Sequence, residues 1–270
     1  MHESRFDFGR NWKAFSENAL SEARLEQARR DFRALMAGIP LRGRSFLDIG
    51  FGQGLSLLLA AADGAVAVGC DINPLCAEVL RDNQRRFFPE LSARTIPVVV
   101  GSILDDSLVV ALRRKAADSR AGTYDIVHAW GVLHHTGNMK RAMGVAASLV
   151  RPGGNLVISI YARHWSSRAW RGIKYLYNRA PALLQKLLVW IFVPIIYTAK
   201  WLVTRRNPLG QTRGMDFYYD IVDWVGGYPY EFATAEEVTA FFQPLGFVLD
   251  RLMAATVPTG CNQFVFRRVS

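Results

Sequence analysis

The chain of 270 residues is poor in cysteine, and that scarcity excludes two classes of protein at once. Its three cysteines, Cys70, Cys76 and Cys261, form neither a CxxC pair nor any zinc spacing. A disulfide framework and a structural zinc site are therefore not expected, and a reducing compartment is. The opening MHESRFDFGR lacks an apolar signal core, so the reading is cytoplasmic rather than secreted. Internal repeats and low-complexity stretches are also missing. Between Tyr161 and Met215 there is no Asp or Glu, although that stretch holds ten Lys and Arg residues. The net charge of +10 is thus concentrated there, and the rest of the chain is balanced. Half of the residues are hydrophobic, enough for a sizeable core.

What is present is an alternation of short apolar runs with helical stretches. Residues 1 to 42 read as a helical cap, with good helix formers from Ser21 to Leu35 and a stop at Gly38 and Pro40. Strand-like runs follow at Ser45–Ile49, Ala65–Cys70, Ile96–Val100, Asp125–Ala129 and Leu156–Tyr161. Between them come helical stretches at Leu55–Ala62, Pro74–Arg86, Leu108–Ala117 and Met139–Leu149. The alternation implies right-handed crossovers and an α/β fold: a Rossmann-like, seven-stranded, mostly parallel sheet flanked by helices. It breaks at residue 162 and resumes at Thr234, which can cap a helix to Phe242. Strand-like Phe247–Leu252 and Gln263–Arg267 then close the chain. The expected organisation is a cap at 1–42, a core at 43–161, a cationic insertion at 162–232 and a C-terminal helix and strands at 233–270.

The segment Phe46 to Ala60, FLDIGFGQGLSLLLA, runs from a strand through Gly50, Gly52 and Gly54 into a helix. Such a turn lets a ligand approach the backbone and meet a helix N-terminus. A dinucleotide loop would need glycine at position 55, which is Leu55 here. Asp48 lies two residues before the first glycine, where it can bind an ammonium group or only cap the strand end. Asp71 ends the next strand, where a carboxylate can accept both hydroxyls of a ribose.

With these residues in place, the chain resembles the class I S-adenosylmethionine (SAM)-dependent methyltransferases over Leu41 to Tyr161 and the C-terminal strands. The resemblance implies that Gly50 to Gly54 cradles the amino-acid part of SAM and that Asp71, with Ile72, holds the ribose. It places the adenine against Gly101-Ser102-Ile103, with Ser102 where many members carry Asp. The fourth strand and its exit, YDIVHAWGVLHHTGN, match the segment lining the methyl-transfer site, which brings in Trp130. An N-terminal FGRNW, the HHTGN turn, DWVGGYPYE and a terminal CNQFVF resemble a bacterial group often labelled UbiG-like, over nearly the whole chain. That label is weak evidence about substrate.

On the acceptor side, His134 and His135 follow the fourth strand and can serve as base or substrate contact, or be structural. His128, inside an apolar strand, reads as core. Asp216, Asp220 and Asp223 are spaced to share a helical face, with Trp224, Tyr228 and Tyr230 following. They read as a solvated surface, as substrate contacts, or as charge partners of the insertion. No metal site is expected. Within the insertion, Ala182 to Val203 is apolar and interrupted by Pro194. Arg179, Lys186 and Lys200 are spaced onto one face, and Leu184, Leu187, Leu188, Ile191 and Ile195 onto the other. This is the pattern of a helix in a membrane interface, through 162–213, or of a lid over the acceptor pocket. A peripheral position at the inner face of a membrane follows from the first reading; nucleic acid is not expected. The functional expectation is methyl transfer from SAM to a small-molecule or lipid-linked acceptor, on oxygen. The rivals are a nucleotide-dependent oxidoreductase, which Leu55 disfavours, and a non-enzymatic SAM-binding membrane adaptor.

Overall fold

A computed structural model describes residues 6–116, 122–209 and 216–269. Seven strands form one sheet: β1 (Ser45–Ile49), β2 (Val66–Asp71), β3 (Val98–Val100), β4 (Tyr124–Trp130), β5 (Val150–Tyr161), β6 (Phe247–Met253) and β7 (Cys261–Arg268). Their spatial order is β3-β2-β1-β4-β5-β7-β6. The first five strands pair in parallel, and β7 is antiparallel to both of its neighbours. The order reverses between β1 and β4, so the crevice beyond their carboxyl ends is where ligands bind in such sheets.

The strands form because their residues are apolar on both faces, as a sheet covered on both sides requires. Phe46, Leu47 and Ile49 of β1 are buried, as are Leu156 to Ile160 of β5. One side of the sheet is covered by α5 (Asp106–Lys115), α6 (Met139–Ser148) and α10 (Ala235–Phe242) through residues such as Leu112, Met143 and Phe242. The other is covered by α2 (Glu22–Leu35), α3 (Leu55–Ala62) and α4 (Pro74–Phe87) through Phe32, Leu58 and Leu80. Thr234 caps α10 in a reciprocal capping box with Glu237.

The N-terminal segment splits into α1 (Phe8–Asn18) and α2, parted by Ser21, whose side chain caps α2. The fourth and fifth strands start earlier than the sequence suggests. Pro152-Gly153-Gly154, which reads as a turn, lies inside β5 as a bulge. Val150 pairs with Tyr124 and Asn155 already pairs with Ile126. Gly153 has a φ of +75° there, and a Cβ on Gly154 would lie 2.7 Å from the Asp125 carbonyl oxygen.

The insertion contributes α7 (Ser167–Arg179), α8 (Ala182–Thr204) and α9 (Phe217–Gly226). They share a small core of Tyr177, Val189, Ile196, Ile221 and Val225. Arg179 ends α7, so it does not continue a face with Lys186 and Lys200, and the single cationic face read from spacing is broken at Pro181. Lys200 points inward and pairs with Asp220 at 2.7 Å. Leu184, Leu187, Ile191 and Ile195 point outward. Arg213 and Ala117 lie outside the described residues.

Candidate functional site

A cavity of about 390 Å³ opens at the carboxyl ends of β1, β2 and β4 and runs beneath α1, α8 and α9. It is continuous from Asp71 and Ser102 at one end to Asp223 and Tyr228 at the other. Of the residues singled out in the sequence, Asp48, Gly50, Gly52, Asp71, Ile72, Ser102, Ile103, Trp130, His134, His135, Asp220, Asp223, Trp224 and Tyr228 line it. Gly54 and Tyr230 do not. Gly54 lies against Leu80 of α4, where a Cβ would approach to 2.3 Å, so its role is helix packing. Tyr230 is buried behind the wall, its ring 4.9 Å from that of Tyr161.

At the β1 end, Gly50 and Gly52 have φ of +66° and +55°, and their missing side chains leave the loop close to Val132 and Trp12. Asp71 accepts the backbone N–H groups of Gly52 and Asn73, each at 2.9 Å. The Cys76 thiol donates to the same carboxyl, which lines the cavity and keeps further accepting capacity. Burial pushes the Asp71 carboxyl above the usual carboxylate range, against the lowering effect of the two N–H groups. Asp48 is 2% exposed and bonds the His128 ring at 2.7 Å through Oδ1, while its Oδ2 has no protein partner. His128 is a core residue, as its strand position suggests, but it also orients this acid. Ser102 turns its hydroxyl back on its own loop and accepts the Leu104 N–H at 3.2 Å. Ile72 is half exposed at the rim, and Trp130 donates its indole N–H to Gln263 at 3.0 Å.

At the far end, His134 and His135 lie on the helical turn after β4. His135 Nδ1 lies 2.6 Å from the Pro229 carbonyl oxygen, so that nitrogen donates and Nε2 keeps its lone pair. Burial pushes the His135 imidazolium down to about 3, with help from Lys174. Burial likewise holds His134 well below the ordinary histidine range, and His135 and Lys174 add to this. Both rings are therefore neutral hydrogen-bonding groups at neutral pH. The Glu231 backbone N–H donates to the His134 carbonyl at 2.9 Å, and the Glu231 carboxylate accepts the Met139 N–H at 2.9 Å. The GGYPYE and HHTGN segments are thereby locked together.

The three spaced aspartates have separate duties. Asp216 caps α9 and pairs with Arg24 at 2.6 Å, tying α2 to the insertion. Asp220 holds Lys200. Asp223 is the one turned inward without a cationic partner in bonding distance. It accepts the Asn11 side-chain amide at 2.7 Å, and burial pushes its carboxyl up to about 8. A solvated acidic face is thus excluded for this helix.

Two features escaped the sequence reading. Lys174, one of the ten cations of the basic stretch, is fully buried and donates to the Trp224 carbonyl, its ammonium 4.8 Å from the Tyr230 ring centre. Burial pushes it down to about 7. Phe6, Phe8 and Trp12 of the N-terminal segment roof the cavity, with the Phe6 N–H donating to the Tyr228 carbonyl at 3.1 Å. The FGRNW motif was the available signal, since Asn11 and Trp12 are the residues that reach Asp223 and Gly52. Among the described residues, no group of three His, Cys, Asp or Glu side chains is placed to hold a metal ion.

A glycine turn under a reversal point, an acid at the end of the second strand and an antiparallel seventh strand coincide here. A family model described as a methyltransferase domain matches residues 21–190. The chain belongs to this methyltransferase-domain family. Similar proteins of this kind include the ubiquinone biosynthesis O-methyltransferase of Vibrio campbellii, 30% identical over 125 residues, or 46% of this chain and 47% of that one. That of Alkalilimnicola ehrlichii is 29% identical over 143 residues, 52% of each. The chain spans about half the length of the curated relatives it matches. Among solved structures, an O-methyltransferase family protein from Burkholderia thailandensis superposes with a TM-score of 0.55 at 15% identity, covering 96% of this chain and 60% of that one. Magnesium protoporphyrin IX methyltransferase from Synechocystis, with bound SAM, gives 0.53 at 13% identity, covering 96% and 90%. At such identities these methyltransferases share the fold with this chain.

Proposed function

We propose that this chain is a SAM-dependent methyltransferase acting on a hydroxyl of a small-molecule or lipid-linked acceptor. The observation that carries the reading is the cavity joining a nucleoside-type end at Asp71 to a partly buried, inward-turned acid at Asp223. The residues at the first end fit SAM. Asp71 offers free lone pairs to a ribose diol, the buried Asp48 Oδ2 lacks a partner that an ammonium group can be, and Gly50 and Gly52 keep the backbone open. Ser102 and Ile103 line the same end and leave room for an adenine ring, and Ile72 forms an apolar edge at the rim. When bound there, SAM supplies a methyl group already made electrophilic by its sulfonium.

The chain's own residues then have three tasks. The roof of Phe6, Phe8 and Trp12 excludes water. Trp224 and Tyr228 give an aromatic wall suited to a flat or apolar acceptor, and Trp224 is held stacked on Trp170 with ring centres 5.7 Å apart. A hydroxyl acceptor must also lose its proton. His135 Nε2 is a neutral acceptor that can orient the hydroxyl, and Asp223 is the stronger base, its affinity for a proton raised by burial. His134 lies beside both histidine and tyrosine rings, 4.4 Å from His135 and 4.2 Å from Tyr161, as a positioning residue. The relatives named for ubiquinone biosynthesis favour oxygen as the methylated atom. Transfer of labelled methyl from SAM into fractionated cell extract, read by mass spectrometry, tests the proposal. Label recovered as a methyl ether supports it; tight binding of NAD with no affinity for SAM contradicts it.

A further inference from the structure

We propose that the outward face of α8 docks this protein on an anionic phospholipid surface, lying in the plane of the interface. By length and composition the helix is apolar enough to cross a membrane, with a mean hydropathy of 1.8 over an 18-residue stretch of which 11% is buried. Its bare side carries Leu183, Leu184, Leu187, Trp190, Ile191 and Ile195, with Leu183 82% and Trp190 75% exposed. A monomer in water does not leave such a face uncovered without a use.

The occupant follows from charge. From residue 126 to 215 the sequence holds no Asp or Glu, and Arg179, Lys186, Arg205 and Arg206 flank the apolar face. A second copy would bring the same cations against them, at a net +10 per chain. An anionic headgroup layer over an apolar interior complements both features. The opposite side of α8 decides how it lies. Gln185 donates to the Tyr177 carbonyl at 3.0 Å, Phe192 meets Trp170, Tyr197 meets Phe217, and Lys200 pairs with Asp220. The helix is fastened to α7 and α9 along its length, so only one side is available to lipid. That geometry suits an interfacial helix and not a spanning one, which needs apolar surroundings on every side.

Docking has a consequence for the acceptor that rests on the methyltransferase reading. Lys200 of the same helix lines the cavity, so lipid on one side of α8 lies one helix diameter, about 10 Å, from the acceptor end. The acceptor class is then an amphiphile that partitions into the bilayer.

Sedimentation of the full chain with vesicles tests the docking. The two compositions are phosphatidylcholine alone and phosphatidylcholine with one third phosphatidylglycerol, each at low and high salt. Binding is expected to the anionic vesicles and to weaken with salt. Leu187→Glu with Ile191→Glu should abolish it, and Arg205→Glu with Arg206→Glu should weaken it about fivefold or more for each arginine. Calorimetric SAM binding should be retained in both variants, which separates loss of docking from loss of the fold or of the cofactor site. No sedimentation of the intact chain, or unchanged sedimentation of the Leu187/Ile191 variant, overturns the proposal. So does a concentration-dependent dimer that this variant dissociates, or protein that resists alkaline carbonate extraction as a spanning helix would.

Discussion

Replacing Asp223 by Asn removes an acid that the fold turns into the acceptor end without a bonded cation. The change is nearly isosteric, and the new amide oxygen can still accept the Asn11 amide, now at 2.7 Å from the carboxylate. Stability reports on the burial. The carboxyl is raised from 3.8 to about 8, so the folded state holds its proton where the unfolded chain has released it. Between those values Asp223 binds its proton only in the folded state, so its own contribution to stability falls as pH rises; His134 and His135, held below the ordinary histidine range, contribute with the opposite sign in wild type and variant alike and drop out of the comparison. By pH 7 the cost is on the order of 4 kcal/mol relative to pH 4, at about 1.4 kcal/mol for each tenfold step. Lys174 is protonated in both folded and unfolded chains below about 7, so it adds no slope in that window. Urea unfolding of wild type and Asp223→Asn from pH 4 to 7 should therefore diverge, with the variant gaining on the wild type as pH rises. Activity reports on the chemistry. Wild-type kcat/KM should climb about tenfold per pH unit up to about 8 and then level. The variant should lose that limb and about 10²- to 10⁴-fold in rate. Parallel stability curves, or an unchanged pH–rate limb, would refute the assignment of Asp223 as a buried base.

Three other outcomes follow from particular contacts. His135→Ala should lower kcat by about 10- to 100-fold while leaving SAM affinity within a factor of two, in the manner of an orienting group; equal losses in both would make it a cofactor-site residue. Gly54→Ala should destabilise the fold by roughly 1–3 kcal/mol, since the φ of +83° and the Leu80 side chain both oppose a Cβ, and chemical denaturation measures it. Arg24→Ala breaks the largely buried pair with Asp216, and an added destabilisation of about 1–3 kcal/mol is expected in the same assay, with no change if α2 is not anchored to α9.

The parts of this architecture that local sequence can specify were legible. Buried strands need continuous apolar runs, the ligand turn needs glycines, and the ribose acid needs a strand end, so β1, β2, Gly50, Gly52 and Asp71 are readable from their neighbours. Which way a side chain faces in the insertion is set by distant partners. The spacing of Asp216, Asp220 and Asp223 shows only that they share a helix face. Arg24, Lys200 and Asn11 come from three other helices and give each acid a different environment. Lys174 has the composition of a solvated residue, and only the packing of α7 on α9 puts its ammonium on the Trp224 carbonyl. The cationic face of α8 is broken for the same reason: Asp220 draws Lys200 inward, while most of the leucine stripe stays outside. The Pro152-Gly153-Gly154 bulge was hidden because a bulge and a turn use the same residues, and pairing with β4 distinguishes them.

The proposed methyl transfer requires SAM at the Gly50–Asp71 end of the cavity. Titration calorimetry of the full chain with SAM, run beside Asp71→Ala, tests this most directly. One-to-one binding that weakens by about 1–3 kcal/mol in the variant is the expected result, the cost of leaving buried hydrogen-bonding groups unpaired. No heat of binding for the folded wild-type protein, or an affinity that Asp71→Ala leaves unchanged, would contradict it.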